Sequence, residues 1–274
     1  MSAPARRLDR QFRLLLPEAV PGKPRLVPPP PPIEPGERAE VRALRASLAA
    51  RVAAKVTSAT ELLRALDVRR RDEVLATTLE PLDALLGGGL PRGKVVEIAG
   101  YTARFSIALS ALAAATSAGE AAALIDLGDH FDPQLAEANG VDLRRLLWIR
   151  PHTMKQAVMS AEMITATGFQ LVVLDAGGHP IRGRRAPDAA WVRLARSAEA
   201  QGTAMLVSTP YPLTGTASEA VIAARGARMR WTGRGKTPRV LAGLDVKLTL
   251  EKHRHLRPGR CETLSLRTYE SCLD

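Results

Sequence analysis

Residues 100–107 stand where a phosphate-binding loop belongs. The β-rich run KVVEIAG (Lys94–Gly100) precedes them and the Ala/Leu-rich stretch Ile107–Ser117 follows. Between a strand and a helix, a phosphate loop reads GxxxxGK[ST]: backbone N–H groups and the lysine cradle phosphates, and the hydroxyl holds Mg²⁺. Here the eight positions are Gly100, Tyr101, Thr102, Ala103, Arg104, Phe105, Ser106 and Ile107. The first glycine is kept. Phe105 replaces the second and puts a ring where backbone would approach phosphate. Ser106 replaces the lysine, removing a charge-assisted contact worth about 1.5–3 kcal/mol, and Ile107 has no oxygen for Mg²⁺. The spacing predicts a degenerate nucleotide site repacked as an apolar turn, with Arg104 the neighbouring cation able to stand in for the lysine, and no bound cofactor. The Gly87–Gly89 triplet precedes the strand, so a turn is expected there.

Asp175 ends the apolar run LVVLD (Leu171–Asp175), where a Walker-B carboxylate would hold a metal's water shell. With no complete phosphate loop to serve, a structural role is the favoured reading. Asp126, Asp129, His130 and Asp132 resemble a metal site by composition. Asp132, however, precedes Pro133 and a helical stretch, the pattern of an N-cap, and no metal is expected. No Ser/His/Asp or Cys/His arrangement is evident, and His152, His179, His253 and His255 have no motif partner. Two cysteines, Cys261 and Cys272, are too few for a disulfide scaffold and are expected as reduced thiols in a cytoplasmic protein.

An alternation of strands and helices must carry these residues. Strands are expected at Lys94–Gly100, Ala122–Leu127, Arg145–Ile149, Leu171–Asp175 and Thr203–Ser208, with helices at Ile107–Ser117, Pro133–Asn139, Thr153–Thr167 and Asp188–Gln201. Near-continuous apolar strands between helices mean a mostly parallel sheet covered on both faces. Beyond Arg225 the segments Arg228–Thr232, Arg239–Leu241, Leu244–Leu250 and Glu262–Leu266 read as antiparallel strands added at the C-terminal edge. The expected fold class is therefore α/β, with a core over 77–274.

Two segments precede that core. Residues 1–36 read as a flexible Pro-rich tail; PEAVPGKPRLVPPPPPIEPG (residues 17–36) cannot continue a helix and suits an extended spacer. Upstream of it, Gln11–Leu16 (QFRLLL) loosely resembles a sliding-clamp-binding peptide, although docking on its own domain or a sister subunit is favoured. Residues 37–76 read as a helical interaction arm, in which Val41, Leu44, Leu48, Val52 and Val56 fall on one stripe suited to a partner surface.

The chain has 274 residues, 46% hydrophobic and 24% charged, which excludes a wholly disordered chain, and no apolar run approaches a membrane span. Its formal charge of +11 is unevenly spread. Residues 1–72 hold 15 basic against 8 acidic residues, 73–224 hold 12 against 15, and 225–274 hold 12 against 5. A near-neutral body with basic ends suits nucleic-acid or acidic-protein partners.

The stretch LDALLGGGLPRGKVVEIAG, then LIDLGDHFDPQLAEANGVDLRRLLWIRP (Leu124–Pro151), then LVVLDAGG resembles the bacterial RecA recombinase core, segment by segment over about 100 residues. The resemblance implies a RecA-like sheet. It also places the recombinase's catalytic Glu at Gly128, its γ-phosphate-sensing Gln near Ser208–Pro210, and its DNA loops at Gly177–Pro187 and Pro210–Glu219. With a basic N-terminal extension and an altered nucleotide site, the chain is similar to the ImuA family of SOS-induced mutasome cassettes. That resemblance implies a non-catalytic accessory role in mutagenic translesion DNA synthesis after DNA damage, in the cytoplasm. The implied partners are an ImuB-type inactive Y-family polymerase and an error-prone C-family polymerase, with RecA, single-stranded DNA and a second copy of the chain as further candidates.

Arg182, Arg184 and Arg185 follow Asp175 at the ligand-binding edge of such a sheet, and Arg228, Arg230, Trp231, Arg234 and Lys236 add cations with an interleaved aromatic. Arginine beside an aromatic can hold phosphates and stack on a base; the alternative is a charged edge strand guarded against aggregation. Other functional readings are a weak ATPase using Arg104, Asp129 and Asp175, a SulA-like cell-division inhibitor binding FtsZ, and a plain single-stranded DNA binder.

Overall fold

The computed structural model describes residues 15–17, 47, 73–178, 186–233 and 238–268. The chain divides into two units, one of Met1–Glu18 with Glu73–Asp274 and one of Ala19–Asp72; every described residue except Ser47 lies in the first. The arm residues Val41, Leu44, Leu48, Val52 and Val56 lie outside the described residues, as do Arg182, Arg184, Arg185, Arg234 and Lys236.

Apolar runs of five or six residues form the central strands: β4 (Val95–Gly100), β5 (Ala122–Asp126), β7 (Leu171–Asp175) and β8 (Ala204–Thr209), each buried along its whole length. Burial on both faces is what a parallel sheet under two helical layers requires. Among the described residues the edge is β6 (Leu146–Ile149), which pairs with β5. On the other side of β4 lies β9 (Ala220–Thr232), then β10 (Val240–His253), β11 (Cys261–Thr268) and the short β1 (Leu15–Pro17). The nine-stranded order is β1-β11-β10-β9-β4-β8-β7-β5-β6. From β9 to β6 the neighbours are parallel; from β9 to β1 they are antiparallel. A separate pair joins β2 (Val74–Leu75) to β3 (Leu90–Pro91).

Among residues 73–268 the structure describes five α-helices and a short 3-10 turn at Leu143–Arg145. α1 (Glu80–Leu86) and α2 (Arg104–Ser117) contribute to one hydrophobic cluster, with Leu82, Leu85, Ile107 and Leu112 against Val96, Ile98, Leu124 and Leu206. α4 (Met154–Thr165) and α5 (Asp188–Gln201) contribute to the other, with Met154, Trp191 and Leu194 near Val95, Ile125, Val172 and Val207. Strand residues thus alternate between the two clusters, the two-residue period of a pleated strand. The short α3 (Pro133–Ala138) is capped by Asp132, whose Oδ1 accepts from Gln134 and Leu135 N–H, as its position before Pro133 suggests.

Two expectations change. The parallel sheet has one more member than the alternation implied, because Ala220–Ala224 pairs in parallel with β4 before the same strand continues outward as an antiparallel partner of β10. The segments expected at Arg239–Leu241 and Leu244–Leu250 are one strand, kept continuous across an irregularity between Leu241 and Gly243. A bulge inserts a residue without ending a strand, so the broken alternation there reads falsely as a loop.

Candidate functional site

Three parallel strands end on polar residues in register: Asp126 on β5 lies beside Asp175 on β7, and Asp175 beside Ser208 on β8. All three occupy strand positions on the face that packs against α2, since Leu124, Val173 and Leu206 two residues earlier belong to that cluster. Their side chains are essentially inaccessible, with Asp126 1%, Asp175 0% and Ser208 0% exposed.

Arg104, the first residue of α2, answers this row. Its Nη1 donates to Ser208 Oγ (2.8 Å) and Asp175 Oδ1 (3.3 Å), and its Nη2 to the Gly177 carbonyl (2.9 Å). Ser208 Oγ also donates to Asp175 Oδ1, at 2.7 Å. Burial pushes the Arg104 guanidinium below its ordinary value, and the Asp175 charge opposes that fall. The pair is what makes either charge tolerable in the interior. Arg104 begins its helix after Ala103, a left-handed residue (φ 61°) with no side-chain cap. A cation is disfavoured at the positive end of a helix, so the pairing with Asp175 outweighs the dipole.

On its other oxygen, Asp175 meets His130: Nδ1 lies 2.9 Å from Oδ2. A carboxylate only accepts, so the imidazole donates, and this hydrogen bond raises its pKa above the ordinary value, with burial opposing. Phe105 packs edge-on against the same ring, centroids 5.7 Å apart. The ring owes its place to Gly128, where a Cβ would fall 2.6 Å from His130 and 2.7 Å from Gly177 Cα. The position assigned to the recombinase's catalytic Glu thus has no room for a side chain in this arrangement. Asp126 accepts the His130 and Phe131 N–H groups, both at 3.0 Å, which fixes the loop that delivers the ring.

The predicted phosphate-loop residues are therefore redistributed. Ile107 is fully buried in the core, as hydrocarbon filling the turn requires. Phe105 and Ser106 are half-buried. The side chain that reaches the strand-end carboxylate is Arg104, and it is held by protein atoms. Gly100 is retained for a different reason from phosphate approach: a Cβ there would sit 2.1 Å from the Ala224 carbonyl of β9. Asp175 caps no turn with its side chain; its partners are Arg104, Ser208 and His130. Asp129 leaves the cluster altogether and pairs with Arg150 at 2.6 Å, whose guanidinium stacks over Trp148.

Another buried carboxylate escaped sequence reasoning. Glu97 of β4, 0% exposed, accepts from Thr209 Oγ1, Leu213 N–H, and Thr214 N–H and Oγ1. Four donors on one carboxylate fasten the connection after β8, and Lys252 Nζ ties it again through the Gly215 and Ser218 carbonyls. The stretch Pro210–Glu219, expected as the counterpart of a DNA loop, is anchored to the sheet at both ends.

The basic arm is arranged differently. The outer half of β9 is exposed from Arg225 to Met229, and at Trp231 and Thr232. Pleating sets Arg228 and Arg230 on one face and Met229 and Trp231 on the other. Arg230 crosses above Gly243 toward Asp245 (3.3 Å) and donates to the Leu266 carbonyl, while Arg225 pairs with Glu251. Arg230, Trp231, Thr232, Ala242, Arg267 and Thr268 line a groove of about 450 Å³ at the strand ends. Cations and indole thus meet around this groove and not along one continuous face.

Six parallel strands under helices on both faces, with polar residues gathered where strands β5, β7 and β8 end, define an α/β protein with a mostly parallel central sheet. Residues 58–179 match the family described as RecA N-terminal domain. RecA of Saccharopolyspora erythraea is 41% identical over 113 residues, and RecA of Mycobacteroides abscessus 42% identical over 113. Each alignment covers 40% of this chain and 33% of the relative, so the chain spans about a third of the length of the curated relatives it matches. The crystal structure of the RadB recombinase superposes with a TM-score of 0.51 at 19% identity, covering 69% of this chain and 94% of that one. Residues 58–179 are thus similar to the RecA N-terminal domain, and the core shares the fold of the RadB structure. Among the described residues no helix is long and apolar enough to cross a membrane.

Proposed function

We propose that this chain is a RecA-like accessory protein of SOS-induced mutagenic translesion synthesis, of the ImuA type, that works through protein and DNA contacts without turning over ATP. The observation that carries the reading is Arg104. A nucleotide site of the recombinase kind needs a free strand-end carboxylate to order Mg²⁺ water and a cation free to meet phosphate. Here Arg104 and Asp175 neutralise each other. The lysine, the second glycine and the Mg²⁺ hydroxyl of the phosphate loop are replaced by Ser106, Phe105 and Ile107, and Gly128 offers no general base.

A fold-mate can keep the shape of a recombinase subunit without its turnover, which suits a scaffold that meets RecA, an ImuB-type inactive Y-family polymerase and an error-prone C-family polymerase. The apolar stripe of Val41, Leu44, Leu48, Val52 and Val56 is the proposed protein contact, and the arm cations Arg228, Arg230, Arg234 and Lys236 with Trp231, joined by Arg182, Arg184 and Arg185, the proposed DNA contact. The test is hydrolysis and calorimetry with the full chain, alone and with single-stranded DNA. No turnover and no micromolar binding of an ATP analogue are expected; DNA-stimulated hydrolysis, or binding lost in Asp175→Ala, rejects the reading. Capture from DNA-damaged cells should retain the ImuB-type partner or RecA, and the double substitution Leu44→Glu/Leu48→Glu should lose it.

A further inference from the structure

Four residues looked like a metal cluster by composition, and the fold uses two elsewhere: Asp129 on Arg150 and Asp132 on the α3 cap. The remaining two, Asp126 and His130, meet Asp175, and one donor atom from each of the three lies within 4.8 Å of the others. We propose that Asp126, His130 and Asp175 form a site for a divalent transition-metal ion of the Zn²⁺ kind. The site goes beyond the accessory role and does not depend on it.

Charge supplies the first argument. Asp126 and Asp175 are buried neighbours in register on adjacent strands, an arrangement that repels unless cations answer it. Arg104 answers one of the two from the β8 side, and a divalent ion beside His130 would answer both from the other side.

Geometry supplies the second. The two oxygens of Asp175 face opposite ways. Oδ1 takes Arg104 and Ser208 from the β8 side, while Oδ2 turns to His130 on the β5 side. The ion therefore lies on the β5 side, away from the turn in which a phosphate loop would hold Mg²⁺. Each Asp126 oxygen accepts one backbone N–H and keeps a second lone pair. Carboxylates fixed in this way are preordered ligands. Zn–N and Zn–O bonds of roughly 2.0–2.2 Å put tetrahedral ligands about 3.4 Å apart. The 2.9 Å contact between His130 and Asp175 has to open slightly, with the proton that bridges it released to solvent or carried on Nε2, and Asp126 to draw in.

Access and ligand type supply the third. The His130 side chain is 43% exposed, so its ring can swing to admit an ion and a water in the fourth position. Imidazole among the ligands favours Zn²⁺, Co²⁺ or Ni²⁺ over Mg²⁺ or Ca²⁺, which prefer all-oxygen sites.

The full chain, stripped with a chelator that is then removed, would be titrated with Zn²⁺ against a chromophoric competitor and with Co²⁺ by visible absorption. One equivalent per chain, weakened at least tenfold in His130→Ala and in His130→Gln and unchanged in His152→Ala, is the expected result, with a tetrahedral Co²⁺ spectrum lost in the same variants. His130→Gln keeps a hydrogen-bonding side chain beside Asp175 in case the alanine variant folds poorly. No stoichiometric binding, or binding indifferent to both His130 substitutions, overturns the site and leaves an adventitious ion only. ATP turnover by the wild-type chain would reject the accessory reading without altering this result.

Discussion

Arginine does opposite work in two regions of this molecule. At the strand ends of β7 and β8, Arg104 is 8% exposed, and its two terminal nitrogens reach a carboxylate, a hydroxyl and a carbonyl. On the outer half of β9, Arg228 is exposed, with a half-exposed Trp231 three residues further along the strand. Buried, a guanidinium is a structural group that exists only with its partner. Exposed, it costs the fold almost nothing and stays available to something outside. Residue type alone does not distinguish the two. The residue's place on the sheet does, because only the strand ends under α2 supply a buried carboxylate row.

On that contrast, the largest effect follows from removing Asp175. Asp175→Ala strands a buried guanidinium, which costs about 3–5 kcal/mol. At roughly 2–4 °C per kcal/mol for a chain of this size, the melting temperature falls by about 10 °C. The double substitution Arg104→Met/Asp175→Leu removes both charges and should recover at least half of that loss. Thermal melts of the three proteins decide it; a single variant as stable as wild type would show that the pair is not closed in solution.

Glu97→Gln comes next. It keeps the shape but turns an amide N–H₂ toward a set of donors, at a cost of roughly 1.5–3 kcal/mol. The loss should show in urea unfolding and as faster proteolysis between Pro210 and Glu219, with little change at Gly87–Gly89.

How far the sequence made this visible differs between the same two regions. The parallel core was legible because each strand is a short apolar run with a turn signal after it; β7 and α5 fall at the bounds that pattern implies. The departures of residues 100–107 from the phosphate-loop pattern were legible position by position. What Arg104 reaches was not, because a template compares position with position while Arg104 acts through register. Only once β5, β7 and β8 are aligned do Asp126, Asp175 and Ser208 become one row. The common signal, a polar residue ending each apolar run, was present in all three segments. On the arm, the cations were legible but their faces were not, since which way Arg230 and Trp231 point depends on pairing with β10 across an irregularity. Glu97 carries no local signal at all: a lone carboxylate in VVEIA reads as a solvent-facing strand position.

Protons sharpen the comparison further. At the end of β10, burial holds His253 below its ordinary value near 6.5, while Glu219 opposes and His255 adds to the fall. Its Nδ1 accepts the His255 and Leu256 N–H groups, a role only the neutral ring can fill. The folded chain therefore takes up this proton less readily than the unfolded one. The stabilisation is fully present above about pH 6.5 and drains away as pH falls below it, by at most about 1.4 kcal/mol for each pH unit. Melting temperatures from pH 7.5 to 5 should decline, and more shallowly in His253→Asn, which keeps an acceptor without titrating. Equal slopes would mean that another group controls the acid side.

The smallest effect on stability belongs to the arm. Arg228 makes no ion pair among the described residues and Trp231 is 54% exposed, so Arg228→Ala and Trp231→Ala should each leave the urea midpoint within about 0.5 kcal/mol of wild type. Their effect is expected in binding to single-stranded DNA. Losing Arg228 should lower the slope of log affinity against log salt by roughly one phosphate's worth, whatever the sequence bound. Losing Trp231 should weaken binding by about 1–3 kcal/mol with the slope unchanged, because a stacked base releases no counterion. The two variants thus separate charge from stacking on strand positions only three residues apart. If both weaken binding only by unfolding the arm, their stabilities fall together, and the contrast between a cation held by the fold and a cation held for a partner disappears.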